Sequence, residues 1–190
     1  MKPRIALIPG DPSGIGPELL AKLLAEPGLS EEADVLVIGD RHVLELGQQQ
    51  AGMKNTFKPI DPLKSEWLSA DSGSFAFHST QTISIDDVRI SEATQSSGAS
   101  VLNTLNVALD FAKDGIVDAV VFAPFNKQAM HFAGLGHDDE LHYMATRLKV
   151  NNYISELNTF DGMWTSRVTS HIALKDVAER INEHSIGEAV

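Results

Sequence analysis

Short apolar runs alternate along this chain with longer segments of helical period, and this alternation restricts its fold more than any other feature. Three continuous apolar runs suit strands that are buried on both faces: residues 5–8, 34–40 and 118–124. Three segments repeat apolar side chains at helical spacing: residues 17–24, 42–50 and 96–113. The pattern predicts an α/β fold with a mostly parallel sheet flanked by helices.

The remaining segments give weaker signals. Residues 56–90 contain short alternating pieces, such as 75–78 and 82–85, which predict short strands or hairpins. Further along, we predict two helices, one strand and a last helix: residues 126–132, 139–148, 163–168 and 174 onward. The sequence shows no internal repeat, low-complexity tract or linker.

Composition excludes several functional classes. The 190 residues include 26 acidic and 15 basic side chains, and a net charge of −11 disfavours binding to nucleic acid or to an anionic membrane. The absence of cysteine excludes a disulfide scaffold and a thiol nucleophile, so a metal would need His, Asp or Glu ligands. The apolar run at the N-terminus is too short for a signal peptide or a membrane span, which predicts a cytoplasmic protein.

A glycine-rich turn between the first predicted strand and helix is the first candidate site. Gly14 and Gly16 allow backbone conformations that other residues avoid, and Pro17 suits a first helical turn, so amides there could face an anion. The spacing fits neither the dinucleotide fingerprint nor the P-loop. Asp11 and Glu18 add negative charge, so a purely structural turn is the alternative interpretation.

Three later positions could also carry chemistry. Lys127 follows a predicted parallel strand, where it could contact a carboxylate or phosphate. The alternative interpretation is an ordinary solvent-exposed lysine that has no role in binding. His137 precedes a predicted helix and could donate a hydrogen bond or transfer a proton, whereas Asp138 and its acidic neighbours also suit an ordinary helix start. His171 follows a predicted strand and is a potential metal ligand or a structural histidine.

Five segments, taken in order, resemble the 4-hydroxythreonine-4-phosphate dehydrogenase family: residues 10–18, 35–40, 119–127, 136–137 and 169–177. The resemblance runs from residue 4 to about residue 181. It implies an isocitrate/isopropylmalate dehydrogenase-like fold and a homodimeric enzyme. The implied reaction uses NAD or NADP and a divalent metal (zinc, magnesium, cobalt or manganese) to oxidise a phosphorylated four-carbon hydroxy acid, which then loses carbon dioxide.

The resemblance also implies roles for individual residues. His137 matches a substrate-binding histidine, and His171 matches the first of three metal-binding histidines. We add Lys127 and Asp138 as further candidate substrate contacts. Such a metal holds the substrate hydroxyl and carboxylate and stabilises negative charge on oxygen during oxidation. Asp138 stands where the family has threonine, and an acidic side chain there would repel a substrate phosphate.

The family's other two histidine ligands and most of its nucleotide contacts lie beyond the segments found here. We therefore expect residues 1–190 to be the N-terminal, substrate- and metal-binding portion of a two-domain dehydrogenase, and to be inactive alone. Within the family, the substrate could be 4-hydroxy-L-threonine 4-phosphate of pyridoxine biosynthesis. The alternatives are 4-phospho-D-threonate and 4-phospho-D-erythronate of sugar-acid catabolism, and the Gly-His-Asp-Asp-Glu sequence slightly favours these. A non-catalytic module that binds a small anion is the alternative of another class.

Overall fold

A computed structural model describes residues 2–63, 74–169 and 172–190, and the chain divides into two compact units. The first unit spans Met1–Tyr143 and the second spans Met144–Val190. The first unit contains a five-stranded parallel sheet with the order β3-β4-β2-β1-β5. Its strands are β1 (Arg4–Ile8), β2 (Asp34–Gly39), β3 (Thr56–Pro59), β4 (Ser74–Ser79) and β5 (Ala119–Phe122). The predicted α/β class is confirmed.

Helices cover both faces of this sheet. Successive side chains of a strand point to opposite faces, so a strand with a continuous apolar run has apolar side chains to bury on each face. Leu7, Val37 and Phe77 face a core that also contains Leu20 of α1 (Gly16–Leu24) and Leu44 of α3 (Arg41–Ala51). On the opposite face, His78 of β4 lies edge-on against Phe111 of α4 (Gln95–Lys113), with ring centroids 5.1 Å apart. The short helix α5 (Lys127–Phe132) packs on α4, and a further short helix, α2 (Leu29–Glu32), precedes β2.

The central strands are buried because their sequences are apolar on both faces. All six residues of β2 are buried, which agrees with the prediction for a strand covered on both sides. The same prediction for residues 118–124 is wrong, because β5 lies at the edge of the sheet and three of its four residues are exposed. The long helix α4 begins at a capping box, in which the Thr94 side chain accepts from Ser97 N and the Ser97 side chain accepts from Thr94 N. The predicted start of this helix at residue 96 is therefore one residue late.

Within residues 56–90, the predicted short strand at 75–78 is confirmed by β4, whereas the piece at 82–85 is not a strand. β3 and β4 pair in parallel, with Phe57 opposite Phe75, so they do not form a hairpin. Residues 82–85 are not a strand, because the amides of Thr82 and Ile83 donate to the carboxylate of Asp40 instead of a neighbouring strand. A 3-10 turn follows at Ile85–Asp87.

The second unit contains a short antiparallel hairpin and two short helices. β6 (Asn158–Phe160) pairs with β7 (Met163–Thr165), so the predicted strand at 163–168 ends earlier than expected and has a partner that the prediction missed. The predicted last helix is divided into a 3-10 turn (Leu174–Asp176), α7 (Val177–Arg180) and α8 (Glu183–Ala189). The break falls at Asn182, whose side chain caps α8 by accepting from Ser185 N. The helix α6 spans Glu140–Leu148.

None of the helices in the described ranges is both long and apolar enough to span a lipid bilayer.

Candidate functional site at the carboxyl ends of β1 and β5

Two of the predicted motifs meet where β1 and β5 end. The strands pair with Ile8 opposite Phe122, so the loops that follow them lie side by side. The amide of Asp11 donates to the carbonyl of Pro124 at 3.1 Å. Gly10 has a φ of +72°, and a Cβ atom there would lie 2.4 Å from the carbonyl oxygen of Ala123. The close contact between these loops therefore requires glycine at position 10.

The glycine at the start of α1 has a packing role of the same kind. A Cβ atom on Gly16 would lie 2.0 Å from the carbonyl oxygen of Pro9, whereas one on Gly14 would meet nothing closer than 3.5 Å. Pro17 follows in the first helical turn. The residue at the N-cap position is Ile15, whose apolar side chain cannot cap the helix. Of the three glycines in this turn, Gly10 has a positive φ, whereas Gly14 and Gly16 do not, so the expectation of an unusual backbone conformation at these two positions is wrong. Gly16 is required by packing instead.

Asp11 is a buried carboxyl group between these two loops, with 4% of its surface exposed. Its Oδ1 accepts from the amide of Ser13 at 2.9 Å, and the side chain of Asn126 donates to the carboxylate. Burial raises the pKa of Asp11 above its ordinary value, although both hydrogen bonds act in the opposite direction. The hydroxyl of Ser13 is also buried and has no hydrogen-bond partner among the described residues.

Asn126 connects this carboxyl group to α5. Its Oδ1 accepts from the amide of Ala129 at 3.1 Å, which caps the helix at its first turn. Lys127 is the first residue of that helix, and its Nζ lies 3.2 Å from Oε2 of Glu140. About half of the Lys127 side chain is exposed, at 52%. The position of this lysine thus depends on Asn126 and Asp11, a link that the sequence interpretation missed, although Asn directly before a helix is a recognised cap signal.

The segment that contains His137 lies between α5 and α6. The ring of His137 lies edge-on to that of Tyr143, with centroids 5.9 Å apart, and the Tyr143 hydroxyl donates to Oδ1 of Asn106 at 2.8 Å. Asp138 is exposed. The structure therefore fixes His137 through an aromatic contact and leaves Asp138 facing solvent.

Asp139 and Glu140 form the start of α6. Oδ1 of Asp139 accepts from the amide of His142 at 2.9 Å and lies 2.6 Å from Nδ1 of the same histidine. Partial burial alone would raise the pKa of Asp139, but the hydrogen bonds from His142 and the positive charges of His142 and Lys127 outweigh it and lower the pKa. These contacts agree with the interpretation of this acidic run as a helix start.

His171, the predicted metal ligand, lies outside the described residues. Within residues 2–63, 74–169 and 172–190, no three His, Asp or Glu side chains come together in a group that could hold a metal ion. Arg167, which follows β7 in the second unit, forms an ion pair with Glu156.

Comparison with solved structures defines the class of the fold. A 4-hydroxythreonine-4-phosphate dehydrogenase from Burkholderia phymatum superposes with a TM-score of 0.84 at 25% identity, over all of this chain and 56% of the other. A terephthalate 1,2-cis-dihydrodiol dehydrogenase from Burkholderia xenovorans shares the fold, with a TM-score of 0.65 at 21% identity, over 98% of this chain and 54% of the other. The chain has the isocitrate dehydrogenase-like α/β fold, as predicted.

Sequence comparison identifies the family. Residues 31–190 match the family described as "Pyridoxal phosphate biosynthetic protein PdxA", and the chain belongs to it. A relative from Pseudomonas aeruginosa named "Putative 4-hydroxythreonine-4-phosphate dehydrogenase 2" is 39% identical over 99% of this chain and 55% of its own length. A relative from Clostridium botulinum named "Putative D-threonate 4-phosphate dehydrogenase" is 24% identical over 97% of this chain and 54% of its own length. The chain thus spans about half the length of the curated relatives it matches.

Proposed function

We propose that the whole protein is a dehydrogenase that oxidises a phosphorylated four-carbon hydroxy acid with NAD or NADP, followed by loss of carbon dioxide. The observation that carries the proposal is the family match over residues 31–190, together with relatives that are named as dehydrogenases of such substrates. The meeting of the Gly10–Ser13 loop with the Pro124–Lys127 loop supports it, because open α/β sheets bind ligands at the carboxyl ends of their strands. A cytoplasmic location is part of the same proposal.

Lys127 is the residue that we propose to contact the substrate phosphate. It lies at the carboxyl edge of the sheet, is half exposed, and is held at the first turn of α5. In the structure Lys127 forms an ion pair with Glu140. A bound phosphate would replace Glu140 as the partner of Lys127 or bind the lysine beside it. His137 would donate a hydrogen bond to the substrate from the neighbouring segment, with Asp138 at the rim of the same site.

A divalent metal would be held in part by His171 and would stabilise negative charge on the substrate oxygen. The described residues do not group three potential ligands, so we propose that further residues of the whole protein complete the metal site. Because relatives are nearly twice as long, we also propose that residues 1–190 are inactive alone and that nucleotide binding needs those further residues.

The choice of substrate is part of the proposal. Relatives at 37–39% identity are named for 4-hydroxythreonine-4-phosphate, and more distant ones at 24% identity for D-threonate 4-phosphate. Repulsion between Asp138 and a phosphate does not distinguish these substrates, since all of them are phosphorylated. Because Asp138 stands where the family has threonine, we propose 4-phospho-D-threonate or 4-phospho-D-erythronate as the preferred substrate. The biosynthetic substrate, 4-hydroxy-L-threonine 4-phosphate, is the alternative.

Steady-state kinetics on the whole protein test this choice. We expect kcat/KM for 4-phospho-D-threonate or 4-phospho-D-erythronate to exceed that for 4-hydroxy-L-threonine 4-phosphate. The opposite order would assign the protein to pyridoxine biosynthesis and contradict the substrate proposal. Reduction of the nicotinamide by neither class of substrate would contradict the dehydrogenase proposal itself.

We also propose a homodimer. In the second unit, the hairpin β6–β7 exposes three large apolar side chains, Phe160 at 77%, Met163 at 59% and Trp164 at 68%. Adjacent exposed aromatic and apolar side chains are typical of surfaces that another protein covers. We infer that a second copy of the protein covers this hairpin.

A further inference from the structure

A polar cavity of about 510 Å³ lies at the carboxyl ends of β2 and β4, on the side of β1 away from β5. Its walls come from the start of α3, from the loop that follows β4 and from the start of α4: Asp40, Arg41, His42, Ser79, Thr80, Gln81, Thr82, Ile83, Ser84, Asp87 and Ser96. The volume lies within the range typical of pockets for small molecules. Lys127, His137 and Asp138, the proposed substrate contacts, do not line this cavity.

The topology of the sheet independently favours a ligand at this place. β2 and β4 are neighbours, with Gly39 opposite Ser79. The chain leaves β2 through α3 on one face of the sheet and leaves β4 toward α4 on the opposite face. Such a reversal opens a crevice between the two strand ends, and ligands of open α/β sheets bind in crevices of this kind.

One wall of the cavity is a fixed network around Asp40, which is 3% exposed. Its carboxylate accepts from the Thr80 hydroxyl at 3.1 Å, from the Thr82 hydroxyl at 2.6 Å and amide at 3.0 Å, and from the Ile83 amide at 3.1 Å. The Thr82 hydroxyl lies a further 2.7 Å from that of Ser100. Asp40 therefore has little capacity left for a ligand, and its role is to hold the loop after β4 in place.

The charges around the cavity disfavour an anion. Asp40 and Asp87 line it, and Asp87 already accepts from the Ser84 hydroxyl at 2.7 Å. The guanidinium of Arg41 lies 3.3 Å from Glu45 and 5.6 Å from the centre of the Phe77 ring, so its charge is already partly compensated. A phosphate or carboxylate would enter beside two carboxylates, and the described lining residues offer no other Lys or Arg to balance them.

The neutral groups around the cavity favour a ligand with many hydroxyl groups. Among the described lining side chains, five are hydroxyls, one is the amide of Gln81, and Ile83 is apolar. The only aromatic ring in this described set is the imidazole of His42, which disfavours a nucleobase. Nε2 of His42 is buried and has no hydrogen-bond partner in the described part of the chain, and an unpaired buried polar atom of this kind is costly unless a ligand or water completes it.

We propose that this cavity binds an uncharged, polyhydroxylated small molecule, and that His42, one of its lining residues, contacts this ligand. The Thr80, Thr82 and Ser84 hydroxyls already donate to carboxylates but can still accept from the hydroxyls of a ligand. The side-chain amide of Gln81 can both donate and accept. The proposal is independent of the dehydrogenase activity, since it concerns neither Lys127 nor His137.

The test is an NMR titration of the ¹⁵N-labelled 190-residue chain with erythritol, xylitol and D-glucose, and with inorganic phosphate as the charged comparator. We expect at least one of the polyols to shift the amides of residues 40–42 and 79–84 at roughly millimolar concentrations, and phosphate to leave them unchanged. His42→Leu should weaken that binding about tenfold, because it replaces a polar lining side chain with an apolar one. Gln81→Ala, in an exposed loop, should weaken it as well.

The matched control is His184→Leu in the second unit, a histidine that is 83% exposed and lines no part of the cavity. We expect it to leave polyol binding unchanged. Three results would overturn the proposal: no shift of these amides by any polyol up to about 100 mM, stronger shifts with phosphate than with the polyols, or equal weakening by His42→Leu and His184→Leu. Because Nε2 of His42 has no partner to lose among the described residues, His42→Leu should fold, and Gln81→Ala provides a second variant if it does not.

Discussion

Asp11 is the residue whose ionisation matters most for stability at the proposed site. Burial raises its pKa above the ordinary value of 3.8, so the folded chain holds this proton more tightly than the unfolded chain. Ionisation of Asp11 therefore lowers the stability of the fold as pH rises from the unfolded pKa through the raised folded pKa.

This dependence of stability on pH gives a prediction for Asp11→Asn. Relative to wild type, the variant should become more stable as pH rises from about 4 to 7, because only wild type must ionise a buried carboxyl group. Urea unfolding at several pH values measures the difference. Asp118→Asn is the control: because Arg4 lowers the pKa of exposed Asp118 below its ordinary value of 3.8, its effect on stability changes below about pH 4 and stays nearly constant from pH 4 to 7. A difference for Asp11→Asn that does not change with pH would contradict the assignment.

Two glycines of the same turn provide a matched pair. We expect Gly16→Ala to destabilise the protein by about 2 kcal/mol, because its Cβ would lie 2.0 Å from the Pro9 carbonyl oxygen and the backbone must move. Gly14→Ala has 3.5 Å of space and should change stability by less than about 0.5 kcal/mol. Chemical denaturation compares the two, and equal effects would show that the packing of this turn is not the reason for its glycines.

Lys127 leads to a prediction for substrate binding by the whole protein. Lys127→Met should raise KM for the phosphorylated substrate about tenfold or more, because a charge-assisted hydrogen bond to the phosphate is lost. Lys58→Met, at an exposed position on β3, is the control and should leave KM unchanged. If the two variants behave alike, Lys127 does not contact the phosphate.

Secondary structure was predictable where one local signal dominates. The buried runs of β1 and β2 and the periodic α4 were foreseen because burial on both faces or on one stripe produces a recognisable apolar pattern in the sequence. The position of β5 was foreseen as well, but its burial was not, because an apolar run alone does not show which strand lies at the edge of the sheet. β6 was missed although Asp161-Gly162, with φ values of +46° and +77°, is a strong hairpin signal. Residues 82–85 were predicted wrongly because their pairing depends on Asp40, about 40 residues earlier, which no local pattern reports.

The hairpin β6–β7 carries the prediction about assembly. A double variant, Phe160→Ser with Trp164→Ser, removes two of its three large exposed apolar side chains and should shift the protein from dimer toward monomer at a given concentration. Light scattering coupled to gel filtration measures the mass. Substitution of exposed Leu63 by Ser, in the other unit, is the control. A dimer of unchanged strength in the double variant would place the interface elsewhere.

At the scale of the molecule, the family could be inferred from the order of five segments, but the site could not be assembled from them. The contact between Asp11 and Asn126 and the ion pair between Lys127 and Glu140 join residues that are distant in sequence. Such contacts follow from the sheet order and from loop packing. His171 lies outside the described residues, so its proposed role depends on the resemblance alone.

The measurement that tests the central claim most directly is nicotinamide reduction by the whole protein encoded by the gene, followed by absorbance at about 340 nm. The assay supplies 4-phospho-D-threonate, 4-phospho-D-erythronate or 4-hydroxy-L-threonine 4-phosphate with NAD or NADP and a divalent metal. We predict turnover of at least one substrate, and its loss with a chelator or with His171→Ala. Absence of turnover with every substrate and cofactor, in a folded whole protein, would contradict the dehydrogenase account.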